Sequence, residues 1–174
     1  VSIGKMCADW GGWEFDMNPI DIYEYSDIVE WADNFLTGAG VTYNANPNNQ
    51  FTIQILNSRT KSFDELYGPQ PDLEEAKAPL AFVGNWRGSL FDGKVHTIWS
   101  YSLFTEAENT FMNYIALGTD LRLGKFYMAY DYKWSSEQLD RTGIISETVP
   151  DDLYPYALKN TLYQSHWLNL QYRL

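Results

Sequence analysis

From Phe126 to Ser135 bulky residues alternate without a break with smaller or polar ones. Phe126, Met128, Tyr130, Tyr132 and Trp134 form one set, and Tyr127, Ala129, Asp131, Lys133 and Ser135 the other. A period of two describes an extended strand with two unlike faces. Such a strand fits a soluble sheet with its aromatic face on a core. It equally fits a strand whose aromatic face meets lipid and whose polar face lines water.

The same alternation recurs along the chain. Eight extended segments are predicted, at 1–10, 35–44, 50–57, 79–90, 95–105, 110–123, 125–135 and 165–174. Leu80, Phe82, Trp86 and Leu90 oppose Asn85, Arg87 and Ser89; Val95, Thr97, Trp99, Tyr101 and Leu103 oppose His96, Ser100 and Ser102. Ile115, Leu117, Leu121 and Leu123 oppose Asp120 and Arg122, while Leu168, Leu170, Tyr172 and Leu174 oppose Asn169, Gln171 and Arg173. Most segments exceed the roughly 5–6 residues of a soluble strand and match the roughly 9–11 of a strand tilted across a bilayer.

The connections sharpen the choice. Those at 11–34, 58–78 and 136–164 are long, and that at 106–109 is moderate. Between them fall short ones at 44–49, at Phe91-Asp92-Gly93-Lys94 and at Gly124. Asp-Gly supplies the positive φ of a tight hairpin. In an up-and-down antiparallel sheet the long loops gather at one rim and the short turns at the other. Outer-membrane barrels have that asymmetry. The expected fold is therefore all-β, an antiparallel up-and-down transmembrane β-barrel with about eight strands here, residues 1–174 forming one barrel domain or a fragment of one.

Composition removes several classes. No apolar run approaches the roughly 20 residues of a membrane helix, and mean hydropathy is −0.38, as alternating strands allow. A net charge of −11 argues against nucleic acid. One cysteine, Cys7, excludes a disulfide framework within the chain. The start Val-Ser-Ile-Gly-Lys is strand-like and carries no signal peptide, as expected of a mature protein or a piece of a longer one.

Candidate chemistry is sparse. Between Met6 and Ser58 there is no Lys or Arg, but there are Asp9, Glu14, Asp16, Asp21, Glu24, Asp27, Glu30 and Asp33. From Glu14 to Asp33 these acids read either as a negative constriction folded into a lumen or as a solvated external loop. Hard cations take oxygen ligands, so Asp16-Met17-Asn18 is a conceivable cation site, yet no calcium-loop pattern is present and no metal is expected. Asn85, Arg87, His96, Asp120, Arg122, Asp131, Lys133, Asn169, Gln171 and Arg173 are the expected lumen-lining set. His96 shares a face with Ser100 and Ser102, but no acid is placed in the sequence to orient its imidazole; no enzyme and no cofactor is expected. Trp10, Trp13, Trp86, Trp99, Trp134 and Trp167 fit an interfacial aromatic belt, or else the platform of a soluble carbohydrate- or ligand-binding barrel, the main alternative.

Several stretches carry a family resemblance: GKMCADWGGWEFDMNPIDIYEYSD, DNFLTG, QILNSR, KAPLAFVGNWRGSLF, ALGTDLRLGKF and LDRTGI. Together they resemble the phosphate-selective porin O and P family, in its form from Bacteroidetes outer membranes. The resemblance implies an outer-membrane channel of about 16 strands, commonly a homotrimer in lipid, through which small hydrophilic solutes or ions diffuse. The family barrel is roughly twice this length, so the chain is expected to be its middle portion, with a complete eight-stranded barrel as the rival. Phosphate selectivity needs basic rings, and Arg87, Arg122, Lys133 and Arg173 form no cluster in the sequence. The expected preference is mildly for cations.

Overall fold

A computed structural model describes residues 1–16, 35–149 and 157–174. Eight strands form one antiparallel sheet in chain order: β1 (Ser2–Met6), β2 (Leu36–Asn46), β3 (Asn49–Asn57), β4 (Glu75–Leu90), β5 (Val95–Ala107), β6 (Thr110–Leu123), β7 (Phe126–Leu139) and β8 (Lys159–Tyr172). Every neighbour in sequence is a neighbour in space, so the sheet is an up-and-down meander. Among the described residues helix is confined to α1 (Trp13–Asp16), α2 (Phe63–Tyr67) and a 3-10 turn at Ser146–Thr148. Among the described residues β1 and β8 do not pair with each other.

The rim asymmetry is present. Residues 7–35, 58–74, 108–109 and 140–158 connect strands at one end, and 47–48, 91–94 and 124–125 at the other. The segment expected to be moderate is a two-residue turn at Glu108–Asn109, with Asn109 at φ 57°. The Asp-Gly hairpin is wider than expected, because Phe91, Asp92 and Gly93 all take positive φ and Lys94 N donates to Phe91 O at 3.3 Å.

Four strands run longer at one end than expected. β4 begins at Glu75, β5 and β7 run on to Ala107 and Leu139, and β8 starts at Lys159. At the N-terminus the reverse holds: the predicted strand 1–10 stops at Met6. Beyond Met6 the backbone leaves the ladder, since its N–H groups are taken by side chains of distant strands.

The two faces of the sheet differ as the alternation requires. Ala81, Tyr114, Ala116 and Ala129 on one face are 0% exposed, whereas Ile53 is 67% and Leu168 57% exposed on the other. The sealed face is covered by residues 7–16, by α2 and by the connection after β7. Its apolar part gathers toward the long-loop rim, where Trp10, Phe63, Tyr67, Phe104, Met112 and Tyr114 pack together. The other face is bare among the described residues. One cross-strand row of it reads Tyr43, Phe51, Trp86, Trp99, Leu117, Tyr132 and His166. An apolar surface this extensive in water marks an interface with something nonpolar.

A wall crossed by its own N-terminal segment

Residues 7–16 run across the covered face, touching five strands in turn. At β3, Gln54 Nε2 donates to Cys7 O at 3.2 Å and Gln54 Oε1 accepts from Asp9 N at 2.7 Å. At β4, Arg87 Nη2 donates to Asp9 Oδ1 at 3.0 Å. At β5, Ser100 Oγ accepts from Gly11 N at 3.0 Å and donates to Gly11 O at 3.1 Å. Trp10 is buried with its ring edge-on to Tyr114 of β6, centroids 6.1 Å apart.

The crossing ends at β7, where the short helix α1 begins. Asp131 accepts from Trp13 N at 2.9 Å and from Glu14 N at 2.7 Å. It thereby caps two N–H groups that a helix start leaves without intrahelical partners. Glu14 forms a buried ion pair with Lys133 Nζ, which also lies 3.7 Å from Asp131 Oδ2. The strap sits this close because two glycines permit it. A Cβ on Gly118 would stand 2.6 Å from Asp131 Oδ1, 2.9 Å from Gly12 Cα and 3.0 Å from Trp13 N. One on Gly12 would stand 2.4 Å from the Asp131 carboxyl group.

Two further charged groups flank the strap. Toward the turn rim, Asp120 is buried and accepts from His96 N at 3.1 Å, stands 2.7 Å from His96 Nδ1, and pairs with Arg122 at 2.7 Å. Toward the long-loop rim, Arg141 Nε donates to Glu106 Oε1 at 2.8 Å and its guanidinium lies 4.4 Å from the Phe104 ring centroid. Burial opposes the Arg141 charge, but Glu106, together with Tyr114 and Tyr67 beside it, outweighs that effect and raises its pKa. The Tyr67 phenol donates to Glu106; burial, then the Glu106 charge, push its pKa well above the ordinary value, so it stays a donor. Glu137 accepts from Arg141 N at 2.5 Å and from Thr142 Oγ1 at 2.7 Å. Asp140 accepts from Ser146 N at 2.7 Å.

The expected site residues distribute as follows. Asn85, Arg87, His96, Asp120, Arg122, Asp131, Lys133, Asn169 and Gln171 all fall on the covered-face register, and Arg173 follows the end of β8 with its N–H donating to Lys125 O at 3.0 Å. Asn85, Asp120, Asp131 and Lys133 are buried there, Arg87, His96, Asn169 and Gln171 half-buried, and Arg122 and Arg173 exposed. Of the acidic set, Glu14 is held by Lys133, Asp16 closes α1, and Asp21, Glu24, Asp27, Glu30 and Asp33 lie outside the described residues.

Three expectations change. An acid does stand against His96, because the β5–β6 register places Asp120 opposite it. Ser100 is nevertheless engaged with Gly11, four residues along the strand. Arg122 and Arg173 do come together, lining with Lys125 a cavity of about 370 Å³ at the turn rim. Trp10 and Trp13 are not belt residues but part of the strap, whereas Trp86 and Trp99 are on the bare-face register. Gln54, Ser100, Gly118 and the Glu106–Arg141 group were not foreseen. The Gly11-Gly12 pair just past the predicted strand 1–10 was the available signal. Among the described residues no three His, Cys, Asp or Glu side chains are grouped to hold a metal ion.

Comparison with known proteins bears on this architecture directly. The sequence model described as phosphate-selective porin O and P matches residues 1–174. No curated protein and no solved structure matches the chain. An eight-stranded meander, apolar on one side and crossed by its own segment on the other, is what a porin wall requires; the chain belongs to the phosphate-selective porin O and P family of outer-membrane channels.

Proposed function

We propose that the chain builds the wall and the constriction of a passive diffusion channel for small hydrophilic solutes and ions, with a mild preference for cations. The observation that carries this reading is the strap. A segment pinned across the polar face of a sheet, while the opposite face is left apolar and bare, narrows an aqueous path without closing it. The soluble carbohydrate-binding alternative would have to expose that apolar face to water, at about 25 cal/mol for each Å².

Closure follows from the same chemistry. An open sheet edge leaves backbone N–H and C=O groups without partners, each costing several kcal/mol in hydrocarbon. β8 presents such an edge over 14 residues. In this reading further strands complete the barrel, making the eight described here one part of a larger ring, and three barrels associate.

The preference for cations is argued from what the wall neutralises. Asp9 pairs with Arg87, Glu14 with Lys133, Asp120 with Arg122 and Glu106 with Arg141. The excess behind the net charge of −11 therefore falls largely on the remaining acids, among them the run from Asp16 to Asp33. Full-length protein in planar bilayers is expected to give stepwise conductance and a reversal potential displaced toward cations. A detergent-free soluble monomer would refute the channel; an anion-directed reversal potential would refute only the selectivity.

A further inference from the structure

On the turn side of the strap the covered face opens into a cavity of about 680 Å³ whose lining includes Trp13, Asn44, Asn48, Gln50, Arg87 and His96. That volume is in the range of pockets that hold a drug-sized molecule. Its polar groups are mostly side-chain amides. Gln50 Nε2 donates to Asn44 Oδ1 at 2.8 Å, a bond that leaves Gln50 Oε1 as an acceptor and Asn44 Nδ2 as a donor. Asn46 Oδ1 accepts from Asn48 N at 2.9 Å and from Asn49 Nδ2 at 3.1 Å, fixing the turn that carries these amides. The charged member Arg87 is compensated by Asp9, and His96 Nδ1 stands 2.7 Å from Asp120 Oδ1. Trp13 is held by its N–H on Asp131 and by an edge contact to the His96 ring, centroids 6.3 Å apart.

We propose that this cavity binds a neutral polyhydroxylated solute, a short saccharide, as it passes the strap. A sugar presents hydroxyls that both donate and accept, which amides match on both counts, and a C–H face that packs against an indole. An ion finds no net charge here to replace its hydration. The inference rests on the channel reading and names the class of solute for it.

The test is sided block of the ion current through full-length channels, with maltotriose added at the turn-side mouth. The expected result is concentration-dependent interruption with an apparent Kd on the order of 1 mM. Gln50→Leu and, separately, Asn48→Leu weaken the block about tenfold, the loss of one or two hydrogen bonds, each variant's unblocked current serving as its own reference. A polyethylene glycol of matched size is expected to block without dependence on Gln50. Maltotriose block that is absent, equal to that of the polymer, or unchanged in both variants overturns the proposal, as does Gln50-dependent block by inorganic phosphate in place of the sugar. Should no variant conduct, the channel reading fails by itself. Tryptophan fluorescence in detergent then reads the site: a maltotriose response lost in Trp13→Phe supports it, and no response overturns it.

Discussion

Lys133→Met tests whether the strap is held by the ion pair at its end. In the parent protein Lys133 and Glu14 are both buried, with Asp131 3.7 Å from the ammonium. Methionine keeps the length of the side chain and removes its charge, leaving two buried carboxylates facing no cation. Breaking a buried pair from one side costs about 3–5 kcal/mol. The other anchors named above are the hydrogen bonds to Gln54, Ser100 and Asp131, each about 1 kcal/mol net, and the Asp9–Arg87 pair. The loss therefore equals that of several anchors together. At 1.4 kcal/mol per tenfold, the balance between docked and released strap shifts roughly a hundred- to several-thousand-fold toward release. Single-channel recording is expected to show a larger unitary conductance with long-lived excursions. The double variant Lys133→Met with Glu14→Gln removes one of the two carboxylates, and Asp131 keeps its two backbone donors at Trp13 and Glu14, so it recovers most of the parent conductance. A Lys133→Met channel indistinguishable from the parent would refute the latch. So would a double variant as disturbed as the single one.

Gly118→Ala is expected to lift the strap sterically, because its methyl would stand 2.6 Å from Asp131 Oδ1 and 3.0 Å from Trp13 N; a cost of about 1–3 kcal/mol should appear as a lower denaturant midpoint together with raised conductance. Leu117→Arg on the bare face is expected to lose about 2–4 kcal/mol of folding free energy in lipid vesicles if that position lies near the bilayer centre, whereas Gln171→Arg on the covered face stays within about 0.5 kcal/mol. At α2, the Ser62 side-chain and backbone hydrogen bonds hold the Glu65 carboxyl below its ordinary pKa. Their stabilisation is thus present above the unfolded-state value and lost as pH falls through the depressed folded value. The protection factors of residues 63–67 against hydrogen exchange should fall in acid, and Ser62→Ala, which keeps only the backbone donor to Glu65, should weaken that pH dependence.

The strands were legible because their signal is local. In β7 the alternation of Phe126, Met128 and Tyr130 with Tyr127, Ala129 and Asp131 assigns faces without knowledge of any partner, and the register with β6 and β8 agrees with it. The strap was not legible because nothing local marks it. Asp9, Gly11 and Trp13 find their partners 45, 89 and 118 residues away, and the residues up to Trp10 look like a continuing strand. The His96–Asp120 contact was hidden by a single register shift. A hairpin continued unbroken from the Ala107–Thr110 pair would set Leu121 opposite His96; the shift between Phe104 and Ala107 brings Asp120 there instead. Bulges of this kind leave no compositional mark, so the pairing required coordinates.

The charges of the covered face are laid down in opposite-sign pairs two residues apart, Asp131 with Lys133 and Asp120 with Arg122. Side chains two apart on a strand share a face, so each pair cancels locally and contributes little field at a distance beyond the roughly 8 Å of physiological screening. Glu14 and Asp9 enter from the strap and are cancelled in turn by Lys133 and Arg87. A wall built this way sets the width of the path but not the sign of the ions that use it. Under the proposed reading the sign comes from charges elsewhere, the acidic run from Asp16 to Asp33 set against Lys125 and Arg173 at the turn rim. Width and sign are then separable by mutation. Gly118→Ala, which lifts the strap without changing a charge, should widen the path while leaving the proposed cation preference nearly unchanged, whereas neutralising Asp21, Glu24 and Asp27 together should reduce that preference at constant width. If both properties moved together in either variant, the constriction and the acidic run would be one structure rather than two.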